Sequence, residues 1–111
     1  MELDMATFEE LKEMSGADFI DELVDTFLED APKLIREMKS ALETHDAESF
    51  RRAAHSFKSN SATFGAYRLS ALAREMELLA KDNKLDQAGS RLAALVEVFQ
   101  TVAEELRGLQ Q

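Results

Sequence analysis

The sequence predicts an all-α protein, an antiparallel up-down four-helix bundle with a short extra helix at its N-terminus. Three observations lead there. Apolar residues recur every three or four positions along most of the chain and nowhere alternate, which is the pattern of helices buried along one face. Only four glycines and one proline are available for turns, so the elements must be few and long. The 111 residues fit one domain, and 45% hydrophobic against 32% charged residues is the balance of a soluble globular chain.

Thr7, with Glu10 three residues on, is a capping-box pattern that opens a short helix through Phe8, Leu11 and Met14. Ser15-Gly16 ends it. From Ala17 a single apolar stripe runs through Ile20, Leu23, Val24, Phe27, Ala31, Leu34, Ile35, Met38 and Leu42. Pro32 falls within it without changing its phase, which predicts a kink and not two helices. The alternative is a break, with Pro32 in the first turn of a new helix. The charges Asp21, Glu22, Asp25, Glu29 and Asp30 form a solvated face.

Thr44-His45-Asp46 is a turn, with Asp46 as N-cap of the next helix and His45 a turn residue without a reactive neighbour. That helix carries Phe50, Ala53, Ala54, Phe57, Ser61 and Phe64 and stops at Gly65. Another begins at once through Leu69, Leu72, Met76 and Leu79. Lys81-Asp82-Asn83-Lys84 is a polar connection. The last helix starts at about Asp86, runs through Leu92, Leu95, Val96, Phe99, Val102 and Leu106, and frays at Gly108. Four such helices joined by short connections pack as an up-down bundle, with the N-terminal helix as an appendage.

The totals exclude several functions. No cysteine means no disulfide, zinc finger or thiol nucleophile, and suits a reducing cytosol. A net charge of −9 repels nucleic acid and anionic membrane surfaces. No apolar run is long enough for a membrane span, and the acidic start MELDMATFEE is unlike a secretory signal. No glycine-rich phosphate loop or GxSxG elbow is present.

One window departs from the acidic whole. Between Ser49 and Arg74 there is no Asp or Glu, while Arg51, Arg52, Lys58, Arg68 and Arg74 lie inside it. His55 is at its centre. On a helical wheel it points about 140–150° away from the apolar direction, hence to solvent. Its surface neighbours are Arg51 and Arg52 one turn before, Lys58 and Ser59 one turn after, and Ala62 two turns after. An exposed histidine is most often only a polar surface residue. Here three cations disfavour the imidazolium and attract the oxygens of a phosphoryl group, while Ser59 and Ala62 keep the surface low enough for another protein to approach. The chemistry suited to this surface is covalent capture of a phosphoryl group on nitrogen. A metal site fits poorly, because no carboxylate lies three or four residues from His55 and the cations repel a metal ion. A Ser-His-acid triad fits poorly too, since an orienting acid would have to come from a distant helix.

The stretch AHSFKSNSATFGA, followed by RLSALAREMELL, resembles the histidine phosphotransfer (HPt) family. Ala54, His55, Lys58, Asn60, Ser61, Phe64, Gly65 and Ala66 fall on the family pattern, with Phe57 in place of its leucine. FLEDAPKLIREMKSAL upstream and the final helix extend the likeness over nearly the whole chain. The resemblance implies that His55 accepts a phosphoryl group from an aspartyl phosphate and passes it to another receiver, with Lys58 steadying the phosphoryl oxygens. It also implies no cofactor of the chain's own, magnesium supplied by the receiver partner, and no kinase active site. The implied partners are response-regulator receiver domains and hybrid histidine kinases, met in the cytoplasm by a monomer through Arg51, Arg52, Ser59 and Ala62. Ser59 stands where the family usually has glycine; it either selects among receivers or hydrogen-bonds the ring or its phosphoryl group. SATFG is also similar to the phosphoacceptor domain of chemotaxis histidine kinases. A further alternative is a helical adaptor that binds receivers without being phosphorylated.

Overall fold

The computed structural model describes residues 1–110. It contains five α-helices: α1 (Met5–Ser15), α2 (Ala17–Glu43), α3 (Ala47–Thr63), α4 (Tyr67–Lys81) and α5 (Ala88–Leu109), with a 3₁₀ turn at Leu85–Gln87. There is no strand among the described residues. Helix α2 packs on α3, α3 on α4, α4 on α5, and α5 back on α2, which closes a four-helix ring. The 27 residues of α2 span about 40 Å at 1.5 Å per residue, matching the 41 Å long axis of the molecule. No described helix is long and apolar enough to cross a membrane.

The stripes read from the sequence form the core. Phe27 of α2 meets Phe57 of α3, Phe64 just past the end of α3, and Phe99 of α5, at ring-centroid distances of 6.4, 5.2 and 5.9 Å. Tilted and edge-on aromatic contacts of this kind add to simple area burial. Pro32 lies inside a continuous α2, so the break with a second helix does not occur.

Three boundaries differ from expectation. Helix α1 starts at Met5, not Thr7, because the Asp4 carboxylate accepts from the Ala6 and Thr7 amides and caps the helix first. The Thr7 hydroxyl is hydrogen-bonded to the Tyr67 hydroxyl instead, at 2.8 Å. Met14, expected on the apolar stripe, is 81% exposed, since α1 buries only its first half against the bundle. At the other end α5 begins at Ala88, after the 3₁₀ turn, and continues through Gly108 to Leu109 without fraying. Leu106 is fully buried there, and the Gln110 side-chain amide donates to Asp25 Oδ1 at 2.8 Å.

The N-terminal segment is bound more firmly than an appendage would be. Leu3 and Phe8 are buried, and the Glu105 carboxylate accepts the amides of Glu2 and Leu3, each at 2.9 Å. The Asp4 amide donates to Gly65 O at 2.9 Å. Gly65 ends α3 at φ 81°, and a Cβ there would lie 2.9 Å from Asp4 O. Glycine is therefore required twice over, by backbone conformation and by close approach.

Candidate functional site

His55 lies on α3, eight residues beyond the first residue of the helix. Asp46 starts that helix as expected: its carboxylate accepts from the Ser49 amide at 3.1 Å and the Ser49 hydroxyl at 2.6 Å. These hydrogen bonds, the hydroxyl's first, hold the Asp46 pKa below its usual value. Phe50, Ala53, Ala54, Phe57 and Ser61 turn inward and leave the His55 side chain 56% exposed. His45 sits in the α2–α3 turn at φ 55° and takes no part in the site.

The structure adds an acid that sequence spacing did not place. Glu77, on α4, sets its Oε2 2.5 Å from His55 Nδ1 and its Oε1 2.7 Å from Lys58 Nζ. Its side chain is only 14% exposed. Burial opposes its ionisation, but the hydrogen bonds and charges of Lys58 and His55 outweigh that, and its pKa is lowered. An ionised carboxylate can only accept, so the hydrogen in this contact belongs to Nδ1. In the neutral ring the lone pair is then on Nε2.

A signal for Glu77 does exist in the sequence. If α3 and α4 form a hairpin about Ala66, residues equally far from Ala66 come level. His55 and Glu77 are each eleven residues from it. Neighbours three and four residues away share one helix, whereas Glu77 lies across that hairpin.

The ring of cations is real but compensated. Glu48 accepts from Arg51 at 2.7 Å and lies 3.4 Å from Arg52, and the hydrogen bond from Arg51 lowers its pKa. Glu77 offsets Lys58. Cation repulsion is thus a weaker influence on the imidazole than the acid-free window suggests, and the carboxylate at Nδ1 is the nearer charge. Arg51 and Lys58 flank the α4 side of His55, whereas Arg52 borders the groove toward α2. One and two turns on from His55, Ser59 is exposed and Ala62 half-buried. Arg68 is drawn away to Glu2, at 3.0 Å.

The arrangement is an exposed imidazole, hydrogen-bonded through Nδ1 to a carboxylate that a neighbouring ammonium shares. Among the described residues no group of three or more His, Asp or Glu side chains could hold a metal ion. The family model described as "Hpt domain" matches residues 22–111. The crystal structure of histidine-containing phosphotransfer protein B (HptB) from Pseudomonas aeruginosa PAO1 superposes with a TM-score of 0.94 at 30% identity, over 99% of this chain and 95% of that one. No curated protein matches the chain.

Proposed function

The chain belongs to the Hpt domain family and so has a histidine phosphotransfer role in a phosphorelay, and from the surroundings of His55 we propose that its Nε2 is the atom that carries the phosphoryl group. The Nε2 lone pair attacks the phosphorus of a receiver's aspartyl phosphate in line. The N–P bond forms as the P–O bond breaks, and the aspartate leaves as a carboxylate. No proton has to leave Nε2, because the ring hydrogen is on Nδ1, where Glu77 also stabilises the positive charge that the ring acquires. Lys58 turns from Glu77 toward the equatorial oxygens and counters their charge. The same steps in reverse, with a second receiver's aspartate as nucleophile, return the protein to its starting state.

The observation that carries this reading is the geometry of one residue: His55 is half in solvent, with Nδ1 occupied and Nε2 open. Receiver domains and hybrid kinases are the partners it fits, with Arg51, Arg52, Ser59 and Ala62 around the point of contact and the magnesium ion belonging to the receiver. In this reading the chain is a single-domain carrier, a monomer working in the cytoplasm, with no kinase site of its own.

The test is to mix the protein with a radiolabelled phospho-receiver and seek acid-labile, base-stable label on it. His55→Gln is expected to abolish the label while helicity and melting stay as in the wild type. Label persisting on that variant would refute the assignment.

A further inference from the structure

Two cations beside the His55–Glu77 contact have no acidic partner. Glu77 is engaged by His55 and Lys58, and Arg51 by Glu48, whereas Arg74 and Lys81 join no ion pair among the described residues. They stand one turn before and one turn after Glu77 on the same face of α4. With Arg51, Lys58, Glu77 and Leu78 they line an open groove of about 320 Å³ between α3 and α4. The hairpin register explains why these residues meet. Lys58 and Arg74 are each eight residues from Ala66, and Arg51 and Lys81 each fifteen. Cations therefore lie on both helices at either side of the level shared by His55 and Glu77. A chain of net charge −9 has gathered unbalanced positive charge into one furrow, with Leu78 44% exposed at its lip.

We propose that this α3–α4 groove is a docking surface for acidic side chains on the receiver partner, and that Arg74 and Lys81 decide which receivers are served. The proposal rests on the reading of His55 as phosphoacceptor, and extends the contact surface onto a second helix. Charge complementarity favours a carboxylate-bearing occupant. Continuity with the phosphoryl site, through Lys58 and Glu77, makes that occupant the same protein that reaches Nε2. Exposed charge pairs are individually weak, so such a groove acts on encounter and partner choice more than on the chemical step.

The experiment presents a panel of radiolabelled phospho-receivers to the wild type, to an Arg74→Glu/Lys81→Glu variant, and to an Arg36→Glu/Lys39→Glu variant that makes the same charge change on α2. Reversal in the groove is expected to raise KM for the receiver about tenfold, leave kcat within about twofold, and flatten the salt dependence. The α2 control should match the wild type. Should the reversed protein fold poorly, Arg74→Gln/Lys81→Gln is expected to give about a threefold rise in KM. An unchanged KM and salt slope in a folded variant overturns the groove proposal while label on wild-type His55 still upholds phosphotransfer. A fall in kcat at constant KM overturns it as well, by assigning the two cations to the chemistry. A wild type that takes no label from any receiver overturns both.

Discussion

His55 Nδ1 and Glu77 Oε2 are 2.5 Å apart although 22 residues separate them in the chain, so Nδ1 is the ring nitrogen that the carboxylate engages. Glu77→Gln keeps the shape but allows the amide to donate or accept, so the tautomer is no longer fixed. The rate of phosphoryl uptake is expected to fall about ten- to a hundredfold, by analogy with the loss of a partner that orients a metal-ligating histidine. Single-turnover transfer from a phospho-receiver would measure it, and a rate equal to wild type would remove Glu77 from the mechanism.

Lys58 holds Glu77 at 2.7 Å and is 28% exposed; in the proposed transfer it turns to the phosphoryl oxygens. Lys58→Gln should still be labelled at His55, but with transfer slowed about tenfold or more, since one charge-assisted hydrogen bond to the phosphoryl oxygens is gone. Lys58→Arg should recover part of the rate. Equal rates in all three proteins would show that Lys58 serves only the fold.

The lowered pKa of Glu77 links stability to pH. Its folded value lies below the ordinary 4.5, so the unfolded chain binds the proton more readily. The stabilising contribution is therefore complete at pH values above 4.5 and is lost as pH falls through the folded pKa. The difference in Tm between wild type and Glu77→Gln is expected to stay level from about pH 6 to about pH 5 and to shrink from there to about pH 3. A difference that stays constant over that range would contradict the assigned ionisation.

Gly65→Ala tests the joint between the N-terminal segment and the bundle. The φ of 81° costs a residue with a Cβ roughly 1–2 kcal/mol, and the approach to Asp4 O adds to it. A fall in Tm of about 5–10 °C is expected, measured by thermal unfolding. Phosphoryl uptake by the fraction still folded should be unaffected, because the turn is remote from His55.

Ser61 is the buried polar side chain of the core, and its hydroxyl has no hydrogen-bond partner among the described residues. Ser61→Ala removes a desolvated group without leaving a large cavity. Stability should stay level or rise by about 1 kcal/mol. A loss of more than about 1 kcal/mol in urea unfolding would mean that the hydroxyl is satisfied in solution.

Most of the fold was legible because it rests on local periodicity. The stripes from Ile20 to Leu42 and from Phe50 to Phe64 bury most of the residues their spacing selects, with Leu23, Leu34 and Leu42 partly buried at the edge of the core, and Asp46 and Gly65 cap and end α3 through short-range backbone chemistry. The helix ends were less legible. Asp4 and Thr7 are both good N-caps, and the choice fell to Asp4 because its amide is tied to Gly65 across the molecule.

The sequence by itself determined that His55 would face solvent on a bundle helix with Lys58 beside it, because a helical wheel needs only 3.6 residues per turn and a line of apolar positions. Only the tertiary structure decided that Glu77 would meet both residues, and that Arg74 and Lys81 would line the same groove without an ion-pair partner among the described residues. Those outcomes depend on how two helices are set against each other. That relation comes from packing between distant segments, which no spacing along one helix encodes.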